Sequence, residues 1–375
     1  MRILVVYPYI TYPEVVLEFL EKLALYDNEI VAIFASNQSK APHIYESPSG
    51  QVNLYRIPSI ELRPMILKNI VQHYPYFLHL SDVIKNISPD LIVINSQLFL
   101  TSIQAIKEAI RNNKPSVLGI HGIYADRGFL PSLAQKMYLH AIGSWIFKNS
   151  TLIRCLTTNE AIELIKFGAP LDKIRIIPNG VDTDLFKPSK EREENSLIWV
   201  GRIVPEKGLV YLIKALAIIV REYSLKDIIL KVVGDGPQLP FLLKTVRKLD
   251  LRKYVKFLGS QSRKEIASML ARSSLFVFPS LREGMPLAVL EAMSCGLPII
   301  GSRIMSLKNL IIDGYNGLLV PPKSPISLAN AIVMLMTDNL LRSRLSNNAR
   351  DHVLKKYAYT QIIPRLLQVY REATL

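Results

Sequence analysis

Short apolar runs alternate with amphipathic stretches along almost the whole chain, and this alternation limits the fold more than any other feature of the sequence. The runs are residues 3–7, 30–35, 52–57, 91–95, 117–120, 152–156, 174–177, 197–200, 228–233, 255–258, 275–278, 298–301 and 317–320. Such runs lack the polar alternation of a half-exposed strand, so both faces of each strand are predicted to be buried. Strands of this kind joined by helices predict an α/β protein with parallel sheets covered by helices on both faces.

A charged stretch at residues 187–195, KPSKEREEN, interrupts the alternation and has no apolar period. It predicts a linker between two domains. Each side has about the length of one doubly wound domain, so we expect an N-terminal Rossmann-like domain over 1–187 and a C-terminal one over 188–355. Two facing domains of this kind would leave a cleft for ligands at the carboxyl ends of their strands. A last helix, over 356–375, is expected to cross back to the N-terminal domain.

The net charge of +15 is concentrated in the second half of the chain. Residues 188–375 carry 28 Lys and Arg against 15 Asp and Glu, whereas residues 1–187 carry 18 against 16. The C-terminal domain is therefore predicted to face something anionic, such as a phosphorylated ligand, nucleic acid or a lipid surface, with a solvated basic surface as the alternative. The cations are spread through the sequence without interleaved aromatic residues or a nucleic-acid reader motif, so we predict no nucleic-acid binding.

The cysteine content and the apolar segments bear on location. Cys155 and Cys295 form neither a metal-ligand spacing nor a disulfide framework, which favours a reducing cytoplasm. The apolar run at the N-terminus is too short for a signal peptide, and no segment reaches the roughly 20 residues that cross a bilayer. We expect a cytoplasmic protein. The stretch Arg63–Leu80 mixes cations with apolar and aromatic residues, so peripheral contact with the inner face of the membrane is a further expectation.

The loop after the run at 197–200 carries two cations. In LIWVGRIVPEKG, residues 197–208, Arg202 and Lys207 lie between a strand and a helix. A guanidinium can bind two oxygens in parallel and an ammonium adds a compact charge, so this loop is suited to a diphosphate. A surface loop with ordinary charges is the alternative.

The next strand leads into VVGDGP, residues 232–237, again before a helix. Its loop residues are Gly234, Asp235 and Gly236. Glycine lets a ligand approach the backbone, and a helix N-terminus attracts anions. The G-x-G-x-x-G spacing of a dinucleotide site is not met, so a plain tight turn is equally compatible with the pattern.

One apolar helix is flanked by one glutamate and contains another, in SLREGMPLAVLEAMSCGLP from residue 280. Pro286 suits the first position of a helix and Gly296 its C-terminal cap, so Glu283 precedes the helix and Glu291 lies within it. A buried carboxylate is costly unless it is paired, so Glu291 is predicted to have either an internal partner or a ligand such as a ribose diol. N–H groups at the helix start that could point at an anion belong to Gly284, Met285 and Leu287.

In the first half, the run at 117–120 ends at His121 and Gly122. A histidine at a strand end is either a functional group or a structural side chain bonded to backbone, and the sequence leaves both open.

In this order, the motifs resemble the retaining glycosyltransferases with two facing Rossmann-like domains, the GT-B fold, of the glycogen-synthase and mannosyltransferase type (family 4-like, group 1). The patterns that carry the resemblance are Gly201-Arg202 with Glu206-Lys207-Gly208, Gly234-Asp235-Gly236-Pro237, Phe257-Leu258-Gly259, the pair Glu283 and Glu291 at E-x7-E spacing, and Pro178 to Asp182. They cover the whole C-terminal domain.

The resemblance implies transfer of a hexose from a nucleoside-diphosphate sugar to a hydroxyl acceptor on a glycan, a polysaccharide or a lipid-linked saccharide. It implies that Arg202 and Lys207 hold the diphosphate, that Glu291 holds the ribose and that Glu283 holds the donor sugar. His121 would help to position that sugar. Neither a metal nor another cofactor is implied, because the cations and the helix N-terminus stabilise the leaving group.

One departure from the family pattern concerns residues 8–14, PYITYPE, where a glycine-rich loop is usual. Pro13 and the tyrosines would stiffen and crowd this loop. An inactive, binding-only relative is therefore one alternative. Another is a sugar-nucleotide epimerase on the same fold, for which His121 would have to work with a carboxylate that the sequence does not identify.

Overall fold

The chain divides into two α/β units, each built on its own sheet. The first consists of Met1–Pro178 and Ile363–Leu375, and the second of Asn179–Ile362. The structure, a computed structural model, describes residues 1–7, 14–26, 28–36, 43–61, 75–96, 100–122, 129–223 and 227–375. The loop predicted to replace a glycine-rich turn, and most of the stretch Arg63–Leu80, lie outside these residues.

The sheet of the first unit has nine strands within the described residues. They are β1 (Arg2–Val6), β2 (Glu29–Ser36), β3 (His43–Glu46), β4 (Val52–Glu61), β5 (Pro75–Phe77), β6 (Leu91–Asn95), β7 (Ser116–Gly119), β8 (Leu152–Cys155) and β9 (Ile174–Ile176). Their order is β3-β4-β2-β1-β6-β7-β8-β9, with β5 also paired to β4. All neighbours are parallel except β3 and β5, which run antiparallel to β4. Every predicted strand of this half is confirmed, and β3 and β5 are additional.

Helices cover this sheet and bury the apolar strands. They are α1 (Glu14–Ala24), α2 (Leu80–Ile87), α3 (Leu100–Arg111), α4 (Phe129–Tyr138), α5 (Ser144–Asn149) and α6 (Thr158–Lys166), with a π-helical turn, Leu139–Gly143, between α4 and α5. Leu4, Ile92 and Leu118, on three neighbouring strands, are fully buried. Burial of whole strands on both faces is what their unbroken apolar runs predict.

The sheet of the second unit is entirely parallel. Its strands are β10 (Ser196–Val200), β11 (Ile229–Val233), β12 (Val255–Phe257), β13 (Leu275–Phe278), β14 (Ile299–Ser302) and β15 (Leu318–Val320), in the order β12-β11-β10-β13-β14-β15. All of them were predicted. The strand order reverses between β10 and β13, and loops after such a pair of strands diverge and leave room for a ligand.

Eight helices complete the described part of this half: α7 (Leu209–Glu222), α8 (Leu239–Lys248), α9 (Arg263–Arg272), α10 (Leu287–Ser294), α11 (Met305–Lys308), α12 (Pro325–Thr337), α13 (Asn339–Lys356) and α14 (Tyr359–Thr374). From Ile363 onward, α14 belongs to the first unit. In the described ranges, no helix combines the length and the apolar character that a membrane span requires.

The second unit begins before the predicted boundary at residue 187. Ser294 Oγ donates a hydrogen bond of 2.6 Å to Phe186 O. Arg192, within the stretch predicted to be a linker, donates from Nη2 to Gly296 O over 2.8 Å. The two hydrogen bonds tie the end of α10 to the segment at 179–195, and Arg192 supplies a donor where carbonyls near a helix end lack intrahelical partners. This segment is therefore packed onto the second unit.

Candidate active site

Lys207 and Glu283 form an ion pair beyond the carboxyl ends of β10 and β13. Lys207 Nζ lies 2.7 Å from Glu283 Oε1 and 2.8 Å from Oε2. Ser280 Oγ donates to the same Oε1 over 2.6 Å. The Glu283 side chain is only 8% exposed and that of Lys207 22%, so each charge offsets the cost of burying the other. The structure thus brings together two predicted site residues that are far apart in the sequence.

The loop that carries Lys207 is fixed against the loop after β13. Gly208 has φ 65°, and a Cβ on it would lie 2.1 Å from Pro279 O. Leu281 N donates to Glu206 O over 2.8 Å. Only glycine fits where the two backbones approach so closely. This packing fixes the position of the Lys207 backbone relative to the loop after β13.

Arg202 lies in the same loop as Lys207 and is exposed. Its guanidinium makes no hydrogen bond or ion pair with any residue that the structure describes. The Lys207 ammonium, by contrast, is also held 5.4 Å from the centroid of the Phe278 ring. The two predicted phosphate ligands therefore differ: one is fixed by its neighbours, and the other has all its donors available.

Gly234 and Gly236 serve the packing of the two strand-end loops. A Cβ on Gly234 would lie 1.9 Å from Gly201 O, and one on Gly236 would lie 2.3 Å from Ile203 O. Asp235 O accepts a hydrogen bond of 2.7 Å from Ile203 N. The sequence left open whether these glycines serve a ligand or a plain tight turn, and the structure shows a close backbone neighbour at each of them. Asp235 also caps its own turn, since its Oδ1 accepts from Gly236 N over 2.7 Å.

Glu291 has an internal partner. Its side chain, on α10, is 4% exposed and forms an ion pair with Arg263 Nη1, at the start of α9. The Arg263 guanidinium lies 4.7 Å from the centroid of the Phe186 ring. Of the two predicted options for this buried carboxylate, the structure contains the internal one. Arg263 was not a predicted site residue, although the need for a cation beside a buried carboxylate was a usable signal.

The start of α10 agrees with the prediction from Pro286. Pro286 is the N-cap residue, and Leu287 is the first residue of the helix. Met285 is buried, and its carbonyl accepts from Asn179 Nδ2 over 3.2 Å. Gly284, Met285 and Leu287 follow Glu283 in the sequence, and the contact between the Met285 carbonyl and Asn179 anchors this turn within the second unit.

His121 lies at the end of β7, where it pairs with Asn95 at the end of the neighbouring strand β6. His121 Nε2 is 3.1 Å from Asn95 Oδ1. Part of His121 remains exposed. Loss of water around the ring nevertheless disfavours its charged form and, with a smaller contribution from the Arg154 charge, lowers the pKa of His121 to about 4. At neutral pH the ring is therefore an uncharged hydrogen-bonding group.

The loop after His121 is held by a buried carboxylate that the sequence did not reveal. Glu160 accepts from Gly122 N over 3.1 Å and from Leu156 N over 2.8 Å. Burial raises the pKa of Glu160, while these backbone hydrogen bonds act in the opposite direction. Arg154 is also buried and donates to the carbonyls of Ile177 and Pro178, each over 3.0 Å. These groups fix the strand ends around His121.

The described residues include no group of three or more His, Cys, Asp and Glu side chains arranged to hold a metal ion. Both cysteines, Cys155 and Cys295, are buried free thiols.

Two family models match the chain: Glycosyltransferase Family 4 over residues 14–185 and Glycosyl transferases group 1 over residues 181–352. Among curated proteins, the chain is 30% identical over 267 residues to the UDP-Gal:alpha-D-GlcNAc-diphosphoundecaprenol alpha-1,3-galactosyltransferase of Escherichia coli, which covers 66% of this chain and 68% of that protein. It is 29% identical over 289 residues to the glycogen synthase of Mycobacterium tuberculosis, covering 75% and 69%. An uncharacterised glycosyltransferase of Methanocaldococcus jannaschii is 29% identical over 338 residues, covering 88% and 89%.

Solved structures agree with this fold. The Anabaena protein Alr3699/HepE in complex with UDP and glucose matches with a TM-score of 0.79 and 19% identity, over 99% of this chain and 100% of that one. The sucrose-phosphate synthase of Thermosynechococcus elongatus has the same score and identity over 99% and 98%. These likenesses show the GT-B fold. The family models and the curated relatives show that the chain is a glycosyltransferase and belongs to the group 1, family 4 glycosyltransferases.

Proposed function

We propose that this enzyme transfers a hexose from a nucleoside-diphosphate sugar to a hydroxyl acceptor with retention of the anomeric configuration. The observation that carries the proposal is the Lys207–Glu283 ion pair, in the loops that follow the reversal of strand order in the second sheet. In this pair, a cation suited to a diphosphate and a carboxylate suited to sugar hydroxyls lie within 2.8 Å of each other, which supports the proposal. In a sugar linked to a diphosphate, the phosphate and a hydroxyl group are attached to neighbouring carbon atoms, so one ligand can contact both side chains.

The diphosphate is proposed to bind Arg202 and Lys207. The Lys207 charge is already positioned by Glu283, whereas the exposed Arg202 has its donors available for a bidentate contact with phosphate oxygens. N–H groups of Gly284, Met285 and Leu287 are proposed to add donors at the helix start. The HepE structure was solved with UDP and glucose, which supports a nucleotide sugar as the donor class.

The proposed reaction takes place on one face of the sugar. The bond between the anomeric carbon and the phosphate oxygen breaks, and the acceptor oxygen bonds to that carbon from the same side. The leaving phosphate oxygen takes the proton of the acceptor hydroxyl. Arg202 and Lys207 stabilise the charge that develops on the phosphate, and the proposal needs no metal or other cofactor for this purpose. Glu283 binds sugar hydroxyls and does not form a covalent bond.

Two further predicted residues keep their proposed roles. Glu291 is proposed to bind the ribose in addition to its ion pair with Arg263, which holds the carboxylate in position. His121 positions the sugar as a neutral ring, in agreement with its lowered pKa. An epimerase would need an acid and base pair at His121. The described partner of His121 Nε2 is the Asn95 amide, which cannot serve as either, so the structure favours the transferase.

The acceptor is proposed to be a glycan, a polysaccharide or a lipid-linked saccharide. The name of the Escherichia coli relative specifies a diphosphoundecaprenol-linked acceptor, which supports the lipid-linked class. A cytoplasmic enzyme with peripheral contact to the inner face of the membrane would meet such an acceptor.

Calorimetric titration in EDTA with UDP, GDP, ADP and their glucose and mannose conjugates tests the donor site. We expect one diphosphate to bind, and Arg202→Ala, Lys207→Ala and Glu291→Ala each to weaken it. Lys308→Ala, an exposed cation on α11, is the matched control and should bind as the unmodified protein does. No binding of any nucleotide by folded protein would refute the proposal. Binding without transfer of labelled sugar to any acceptor or to water would instead identify a binding-only relative.

A further inference from the structure

Part of the excess positive charge of the second unit is concentrated in one short segment outside the proposed nucleotide site. Within the segment 239–257, the exposed cations on α8 and in the loop after it are Lys244, Arg247, Lys248, Arg252 and Lys253. None of them forms an ion pair or a side-chain hydrogen bond with a residue in the described ranges. The single acidic residue in this segment is Asp250. The sequence interpretation treated the cations as dispersed, whereas these five share one short helix and its exit loop.

The helix end brings the cations of the loop next to those of the helix. Asp250 adopts a left-handed conformation with φ 58°, and Leu251 N donates back to Val246 O over 2.9 Å. This hydrogen bond reverses the chain at the end of the helix, as in a Schellman motif. Leu251 is buried, so Arg252 and Lys253 leave the reversal beside the last turn, which carries Arg247 and Lys248.

Two apolar side chains on the same helix are exposed. Phe241 is 54% exposed and Leu243 37%, whereas Leu242 and Val246 are buried and attach the helix to its domain. At 100° per residue, Phe241 and Leu243 lie at the two edges of the exposed arc, with Lys244, Arg247 and Lys248 between them. The exposed arc therefore combines cations with two apolar side chains, the residue types that helices lying on a membrane surface present to lipid.

We propose that this surface, formed by α8 and Arg252 and Lys253, docks on an anionic lipid bilayer. Clusters of four to eight Lys and Arg are typical of surfaces that bind anionic lipids, and this surface combines three cations of α8 with two of the loop that follows it. Nucleic acid would satisfy the charges, but it would leave Leu243 in water, whereas a lipid boundary accommodates both apolar side chains. The proposed surface lies in the second unit and is separate from the stretch Arg63–Leu80. It does not depend on the identity of the donor or the acceptor.

Sedimentation with vesicles of phosphatidylcholine alone, and of phosphatidylcholine mixed with phosphatidylglycerol, tests the proposal. We expect binding only to the mixed vesicles, and weaker binding as salt increases, because the attraction is screened. The variant Lys244→Gln/Arg247→Gln/Lys248→Gln should lower the partition coefficient roughly a hundredfold. The control Lys308→Gln/Arg344→Gln/Lys355→Gln removes the same charge from exposed positions on α11 and α13 and should have a much smaller effect.

A second measurement does not depend on how the triple variant folds. In Phe241→Trp, the emission of the new indole should shift to the blue with mixed vesicles, after subtraction of the unmodified protein. Equal binding to both vesicle types, or equal losses in the two triple variants, would overturn the proposal. It would also be overturned by an unshifted emission of Phe241→Trp, or by duplex DNA or transfer RNA binding more tightly than the mixed vesicles at the same salt concentration.

Discussion

Arg263 and Glu291 form a buried ion pair that joins the first turn of α9 to the middle of α10, with side chains 16% and 4% exposed. Removal of the guanidinium would leave a carboxylate in an apolar helix environment without its cation. We expect Arg263→Ala to lower the free energy of unfolding by about 3–5 kcal/mol. The double variant Arg263→Met/Glu291→Leu should recover most of that loss, since neither charge remains.

Urea denaturation of the single and double variants measures this coupling. Lys166→Ala in the exposed pair Lys166–Glu163 is the control, and it should cost less than about 1 kcal/mol. A loss of similar size in Arg263→Ala and Lys166→Ala would contradict the structural role given to Arg263.

Substitution of Lys207 should reduce both stability and diphosphate binding, whereas substitution of Arg202 should reduce binding alone. Lys207→Ala leaves the nearly buried Glu283 without its cation and should lower the free energy of unfolding by about 1–3 kcal/mol as well as weaken diphosphate binding. Arg202→Ala removes an exposed guanidinium and should leave stability within about 0.5 kcal/mol while binding weakens. Denaturation and calorimetry on the same samples test both. A large stability loss in Arg202→Ala would show that its donors are engaged in the free protein.

Gly208 and Gly259 form a matched pair for a test of loop packing. Their φ angles are 65° and 68°, so alanine at either position has a similar backbone cost of about 1 kcal/mol. At Gly208 the added Cβ would meet a backbone atom, Pro279 O at 2.1 Å, whereas at Gly259 no atom of the described residues, apart from the adjoining ones, lies within 4 Å of the Cβ position. We expect Gly208→Ala to be clearly the more destabilising and to impair diphosphate binding. Similar unfolding free energies for the two variants would mean that the two loops do not approach as closely as described.

The pKa of His121, lowered to about 4, has a consequence for the pH dependence of stability. In the unfolded chain this histidine takes up a proton below about pH 6.5, whereas in the folded protein it does so only near pH 4. Its contribution therefore favours the folded state above pH 6.5 and is lost progressively as the pH falls from 6.5 towards 4. His121→Gln should remove this component of the acid destabilisation.

An NMR titration of the imidazole carbon-bound protons, with His121→Gln to assign the resonance, measures the pKa directly. A midpoint near 6.5 for the assigned resonance would show that the surroundings of His121 do not disfavour its charge. The stability component should then be absent as well.

Local sequence patterns were sufficient for the elements that bury apolar surface. The unbroken runs predicted every parallel strand of both sheets, because a strand buried on both faces excludes polar residues along its length. The prediction of α10 from Pro286 and Gly296 was likewise close, since the start and the end of a helix depend on neighbouring residues. The short strands β3 and β5 were missed, because an antiparallel partner at the side of the sheet needs few residues and leaves little pattern.

The sequence by itself determined the residue types of the candidate site and the strand ends to which they belong, because both follow from the order of motifs along the chain. Only the tertiary structure decided their partners. Glu283 meets Lys207 because β10 and β13 are neighbours in the sheet, and Glu291 meets Arg263 because α9 and α10 lie side by side. Such contacts depend on strand order and helix packing, which local periodicity does not encode. For the same reason, the sequence indicated that the strand-end loops need glycine, but it did not indicate which neighbouring backbone segment leaves no room for a side chain.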